Sequence, residues 1–345
     1  MNPNNRMYSL ISSFPQQIRE ALLLIKKVDI PPAPWNSRSA DSTGQASGPI
    51  NNIVICGMGG SGIGGTIISE LAGKEAPVPI SVCKSYLLPE FVNDKTLVIA
   101  CSYSGNTEET LSAFRDAGKR EARLVCISSG GEIKELARKY KSGFIEIPGG
   151  YPPRAAFGYP LVMLLYTLHH YKIISAAFTR QLRTAIDLLN QEQPAMIKSA
   201  KEISTKILDK KPVIYCDSTH EGVAVRFRQQ LEENSKILAS HHVVPEMNHN
   251  ELVGWSQPYQ DTSVIMFRTE DENERNRKRF TFCTEIFRRF SSAVIEIHAK
   301  GNNMIERTLY LVHFGDWISY HLAGLRGIDA MEVNVIDRLK EELKK

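Results

Sequence analysis

The sequence predicts an α/β protein of two doubly wound domains, each a parallel sheet flanked by helices. Three observations predict it. Short apolar runs alternate with stretches of helical spacing from residue 52 onward. A helical stretch over 154–202 interrupts this alternation and separates a first βα series from a second. Turns rich in glycine or hydroxyls follow two strands of the first series, at the carboxyl ends where open parallel sheets bind ligands.

The chain of 345 residues is long enough for two cores. An N-terminal helix is expected over 15–27, then a flexible segment over 31–49 rich in Pro, Gly, Ser, Asn and Thr. The first series has strands at 53–56, 79–83, 96–101, 123–127 and 143–147, with helices at 62–72, 107–118 and 132–139. In the helical stretch, Leu161, Leu164, Leu165 and Leu168 share one face, and Leu182, Ile186 and Leu189 share the next. The second series runs strand 212–216, helix 219–236, strands 241–244 and 263–267, helix 273–290, strand 293–297 and helix 303–325. A helix at 334–344 closes the chain. The expected division is a leading segment 1–50, a first domain 51–175 and a second domain 176–345.

Lys and Arg number 42 against 38 Asp and Glu, a net charge of +4 that suits small anions. No basic stripe interleaved with aromatics argues for nucleic acid, and the mixed-sign tract 272–279 and Arg288-Arg289 read as solvated helix faces. No apolar run approaches about 18 residues and no charged-then-apolar leader opens the chain, so no membrane is expected and the cytoplasm is the default. Cys56, Cys83, Cys101, Cys126 and Cys216 sit in or beside strand-like runs and Cys283 in a helical one, as buried free thiols do in a reducing compartment. Neither His169-His170 nor His241-His242 has a partner at zinc spacing, so no metal is expected.

Between the run Leu97-Val98-Ile99-Ala100 and the next helix lies Cys101-Ser102-Tyr103-Ser104-Gly105-Asn106-Thr107-Glu108-Glu109-Thr110. Backbone N–H groups at a helix N-terminus, with Ser102, Ser104 and Thr107 beside them, suit a phosphate monoester. An ordinary N-cap would explain Thr107 alone, but three hydroxyls exceed what a cap needs. A second turn, Gly57-Met58-Gly59-Gly60-Ser61-Gly62-Ile63-Gly64-Gly65, meets the G-x-G-x-x-G spacing of dinucleotide folds. The ribose carboxylate such folds need is missing, because the second strand ends in Lys84-Ser85. No Gly-Lys-Ser/Thr follows the glycines either. A sugar phosphate is therefore favoured over NAD.

These residues resemble the sugar isomerase (SIS) domain family, and more closely its bifunctional phosphoglucose/phosphomannose isomerases. The resemblance spans nearly all of the chain beyond residue 50. It rests on six blocks in order: Gly57-Met58-Gly59-Gly60-Ser61-Gly62, 102–110, Pro153-Arg154-Ala155-Ala156, Glu233-Asn234-Ser235-Lys236, His249-Asn250 and Ile336-Asp337-Arg338-Leu339-Lys340. It implies two SIS-type domains and a cofactor-independent aldose–ketose isomerase. That enzyme would interconvert glucose 6-phosphate and mannose 6-phosphate with fructose 6-phosphate through a cis-enediol.

The resemblance implies that Gly60, Ser61, Ser102, Tyr103, Ser104 and Thr107 bind the substrate phosphate. It makes Glu233 the proton-transfer base, although a carboxylate near a helix C-terminus is disfavoured by the dipole. Arg154 would stabilise the enediolate by paired hydrogen bonds. His249 and Lys340 would assist ring opening, and a homodimer with the site at its interface would supply His249 from the neighbouring copy. Two other readings stay open: a non-catalytic sugar-phosphate sensor, or an enzyme of another phosphosugar. An aminosugar-forming synthase would need a glutaminase domain for which this chain has no room.

Overall fold

The computed structural model describes residues 3–31 and 49–343, so most of the segment 31–49 lies outside the described residues, as does the end of the helix expected at 334–344. The chain divides into two compact units, one of Phe14–Ile186, the other of Asp187–Lys345 together with the residues up to Ser13. The expected division had instead a leading segment 1–50 and a boundary after 175. Two helices open the chain, α1 (Pro3–Ser12) and α2 (Phe14–Leu24), the latter running into a 3-10 turn, Ile25–Lys27. Helix α1 falls where no helix was expected.

The Phe14–Ile186 unit continues with β1 (Asn52–Cys56), α3 (Gly59–Ala72), β2 (Ile80–Cys83), β3 (Thr96–Cys101), α4 (Glu108–Lys119), β4 (Arg123–Ser128), α5 (Glu132–Lys139), β5 (Gly143–Glu146) and α6 (Gly158–His170). Helix α7 (Ala177–Ile207) starts in this unit and ends in the other. All strand pairs are parallel and the order is β2-β1-β3-β4-β5. Every residue of β3 is buried, because helices cover both faces of the sheet; that is why its sequence is a continuous apolar run and not an alternating one. Helix α3 begins at Gly59, earlier than the expected 62, so Gly60 and Ser61 lie in its first turn.

The second unit holds β6 (Lys211–Asp217), α8 (Glu221–Ser235), β7 (Ser240–Val244), β8 (Thr262–Arg268), α9 (Glu274–Phe290), β9 (Ala293–His298), α10 (Met304–Leu325) and α11 (Asn334–Glu342). Its sheet is also parallel, in the order β7-β6-β8-β9. One face packs Tyr215, Met247, Trp255, Phe280 and Phe287, with the Tyr215 and Phe287 rings stacked at 4.8 Å.

Helices α8 and α10 are joined by a buried polar seam. Arg226 Nη2 donates to both Asp316 carboxylate oxygens at 3.0 and 2.8 Å, and Gln230 Nε2 donates to Asp316 Oδ1 at 2.7 Å. Asn234 Nδ2 and Ser235 Oγ donate to the Ser319 hydroxyl and carbonyl at 3.0 and 2.7 Å. Removing one member of a buried ion pair leaves the other charge uncompensated, so Asp316→Ala is expected to lower the urea unfolding free energy by about 3–5 kcal/mol. On the same helix, burial depresses the His313 pKa to about 3. Its Nε2 stands 3.2 Å from Trp317 Nε1 and 2.8 Å from Gln193 Oε1. An unfolded histidine titrates near 6.5, so below that pH the unfolded chain binds a proton the folded chain excludes. Stability should therefore fall as pH drops from about 6.5 towards 3, by up to about 1.4 kcal/mol per pH unit from this group. His313→Gln should flatten that slope in urea melts across the pH range.

Candidate active site

In the first unit's sheet, β1 lies between β2 and β3: the chain leaves it towards β2 on one side and returns to β3 on the other. The crossovers on the two sides run in opposite directions and leave a crevice beyond the carboxyl ends of β1 and β3, whose last residues are in register as Cys56 opposite Ala100. Helices α3 and α4 both begin there. The N–H groups opening α3 have no side-chain cap from Met58, and its first turn carries no carboxylate. The first turn of α4 carries Glu108 and Glu109, which already occupy the positive end of its dipole. The grip on an anion at this helix therefore falls to the hydroxyls.

Those hydroxyls are held in a defined orientation. Ser61 Oγ accepts from Tyr103 N at 3.1 Å, and Ser104 Oγ accepts from Asn106 N at 3.2 Å. Each thus has a lone pair engaged while its own hydrogen remains to be donated. Buried Ser102 accepts from Gly105 N at 3.1 Å and donates to Thr107 Oγ1 at 3.0 Å, which leaves the Thr107 hydrogen for another acceptor. Thr107 occupies the N-cap position of α4, yet its side chain makes no cap hydrogen bond.

Tyr103, expected among the phosphate ligands, braces the turn. Its phenol donates to the Pro148 carbonyl at 3.0 Å and accepts from Tyr151 N at 2.9 Å, and its carbonyl accepts from Ser129 Oγ at 2.6 Å. Gly105 shows why the turn tolerates no side chain: its φ is +73°, and a Cβ there would sit 1.7 Å from the Gly130 carbonyl oxygen.

Arg154 enters from the 3-10 turn Pro153–Ala155 and is buried. A Cβ on Gly60 would stand 3.2 Å from Arg154 N, so the glycine lets the arginine's turn lie directly against the start of α3. Gln17 of α2, a residue the motifs did not single out, holds that turn in place. Its Nε2 donates to the Ala155 carbonyl at 2.7 Å and its Oε1 accepts from Gly158 N at 3.3 Å. A glutamine in an amphipathic helix gives no sequence signal for such a contact, since its partner lies 138 residues away.

The structure thus brings Gly60, Ser61, Ser102, Tyr103, Ser104, Thr107 and Arg154 into one unit, while Glu233, His249 and Lys340 belong to the other. Glu233 is half-buried in the last turn of α8, where its carbonyl accepts from Lys236 Nζ at 2.6 Å. His249 is exposed at the end of the 3-10 turn Glu246–His249. Lys340 is exposed on α11, with Nζ 3.4 Å from Asp337 Oδ1. Among the described residues no three His, Cys, Asp or Glu side chains gather as a metal site would require.

A family model described as a bacterial phospho-glucose isomerase C-terminal SIS domain matches residues 197–343. The chain is 35% identical over 347 residues to a bifunctional phosphoglucose/phosphomannose isomerase of Caldicellulosiruptor bescii, covering 98% of each chain. It is 37% identical over 314 residues to another from Aquifex aeolicus, covering 90% of this chain and 94% of that one. Among solved structures, the C-terminal domain of glucosamine-fructose-6-phosphate aminotransferase from Francisella tularensis superposes with a TM-score of 0.71 over 93% of this chain and 96% of that one. At 17% identity, that likeness carries the fold alone.

The orientation of the hydroxyls generates a direct expectation. Ser104→Ala removes one outward hydrogen without touching the core, and should weaken binding of inorganic phosphate about tenfold, the scale of one hydrogen bond to a charged group. Titration calorimetry against the parent chain measures it.

Proposed function

The chain belongs to the bifunctional phosphoglucose/phosphomannose isomerases, and on that footing we propose that it interconverts glucose 6-phosphate and mannose 6-phosphate with fructose 6-phosphate. The observation that carries this reading is the set of oriented hydroxyls beside the uncapped start of α3, with the turn of a buried arginine packed against that helix start. Ser61, Ser104 and Thr107 hold the phosphate, Ser102 takes part by orienting Thr107, Gly60 gives close backbone approach and Tyr103 braces the loop.

The reaction moves one proton between C1 and C2 of the open-chain sugar. No net oxidation occurs, so the chemistry asks for no redox cofactor. Glu233 takes the proton from one carbon and returns it to the other, and Arg154 stabilises the negative oxygens of the enediolate between them. A guanidinium suits that task because it stays charged and presents paired donors to adjacent oxygens. His249 and Lys340 open the ring, the imidazole relaying a proton between the ring oxygen and O1. We further propose a cytoplasmic homodimer that supplies His249 from the second copy. The six buried free thiols support a reducing compartment.

In deuterated water, with glucose, mannose and fructose 6-phosphates offered in turn, NMR should show deuterium entering C1 or C2. Glu233→Gln should slow that exchange by about 10²–10⁴-fold while leaving sugar-phosphate affinity nearly unchanged. Binding without any exchange in the parent chain would favour a sensor, and undiminished exchange in the variant would remove Glu233 from the role of base.

A further inference from the structure

Helix α8 ends on Lys236, whose backbone is left-handed with φ 54°. Such a position is served best by glycine, which meets no Cβ penalty there. What lysine adds is its ammonium, which folds back over the helix end. Lys236 Nζ donates to the Glu233 carbonyl at 2.6 Å and to the Asp329 carbonyl at 3.2 Å, and lies 4.0 Å from Glu332 Oε2. The two acidic residues it reaches organise the approach to the last helix. Asp329 Oδ1 accepts from Met331 N at 2.7 Å, and Glu332 Oε1 accepts from the N–H of Asn334, the first residue of α11. One half-buried ammonium therefore ties the turn that carries Glu233 to the segment that starts the helix carrying Lys340. The same positive charge offsets the negative end of the α8 dipole, where a carboxylate would otherwise be disfavoured.

We propose that Lys236 is a positioning residue for the isomerase reaction, clamping the end of α8 to the 329–332 segment so that Glu233 and Lys340 keep one fixed spacing. The inference rests on the isomerase reading above. Lys236 acts through the backbone of Glu233 and of Asp329, and needs no contact with the sugar. A misplacement of about 1 Å between groups that act on the same substrate can cost on the order of 10²-fold in rate. The phosphate hydroxyls belong to other elements, so a loosened clamp should leave substrate affinity largely intact.

The test compares the full chain with Lys236→Gly and Lys236→Arg. Glycine suits the left-handed cap, so Lys236→Gly should melt at or above the parent's temperature, which separates the clamp from a structural cap. With fructose 6-phosphate, kcat should drop by about 10²-fold in Lys236→Gly while KM stays within about twofold. Lys236→Arg should recover at least about a tenth of the parent kcat by reaching the same two carbonyls. Amide hydrogen exchange over 329–334 should accelerate in Lys236→Gly. Parent-like kcat in that variant, or exchange over 329–334 that does not change, would overturn the clamp. If the parent itself turned over no hexose 6-phosphate, the isomerase reading would fail, and the exchange measurement would still decide whether the clamp exists.

Discussion

A parallel sheet whose first strand lies between the second and the third must send its two crossovers in opposite directions, and that topological constraint creates the crevice beside which the proposed phosphate ligands stand. The turn after β1 and the turn after β3 are forced to end next to one another, so two helices begin at one place. Backbone N–H groups follow from that geometry whatever the side chains are. The sequence adds the Ser61 and Ser104 hydroxyls, whose oxygens already accept from backbone donors, and Thr107, whose oxygen accepts from Ser102. Their hydrogens remain to be donated, a cheaper provision for the proposed anion than burying unpaired cations.

The second unit repeats the topology with a different outcome. Its switch point lies between β6 and β8, where several charged side chains pair with one another. Asp217 accepts from Thr219 N and Oγ1 at 3.0 and 2.8 Å and from Asn276 Nδ2 at 2.7 Å. Arg307 donates through Nε and Nη2 to Asp271 at 2.6 and 2.8 Å. Paired in this way, the groups have little capacity left for an outside charge. The functional candidates of this unit sit instead at the end of α8, on the turn at Glu246–His249 and on α11.

Helix α8 is a suitable platform because it cannot slide. The Arg226–Asp316 pair and the Ser319 contacts fasten successive turns of α8 to α10, and the last of these contacts come from Asn234 and Ser235, immediately after Glu233. Polar contacts paired across a buried helix interface help to specify one register. A reacting carboxylate gains from such a mounting, since proton transfer between neighbouring carbons demands a fixed position more than it demands affinity.

By itself the sequence determined the order of strands and helices, because apolar periodicity is a local property that packing only confirms, and it located the glycine and hydroxyl turns, because their backbone demands are also local. The apolar run at Leu97 marked a strand before any neighbour was known. Tertiary structure alone decided the rest. Helix α1 exists in company with α10, where Tyr8 packs edge-on against Trp317 at 5.0 Å; the short apolar stripe of Met7, Leu10 and Ile11 gains its burial only there. Gln17 matters only because the Arg154 turn reaches it, Tyr103 braces only because Pro148 and Tyr151 stand at its phenol, and Lys236 clasps only because the chain returns at Asp329. Each of these roles is a hydrogen bond between residues far apart in sequence, and its energy depends on a distance that no local pattern encodes.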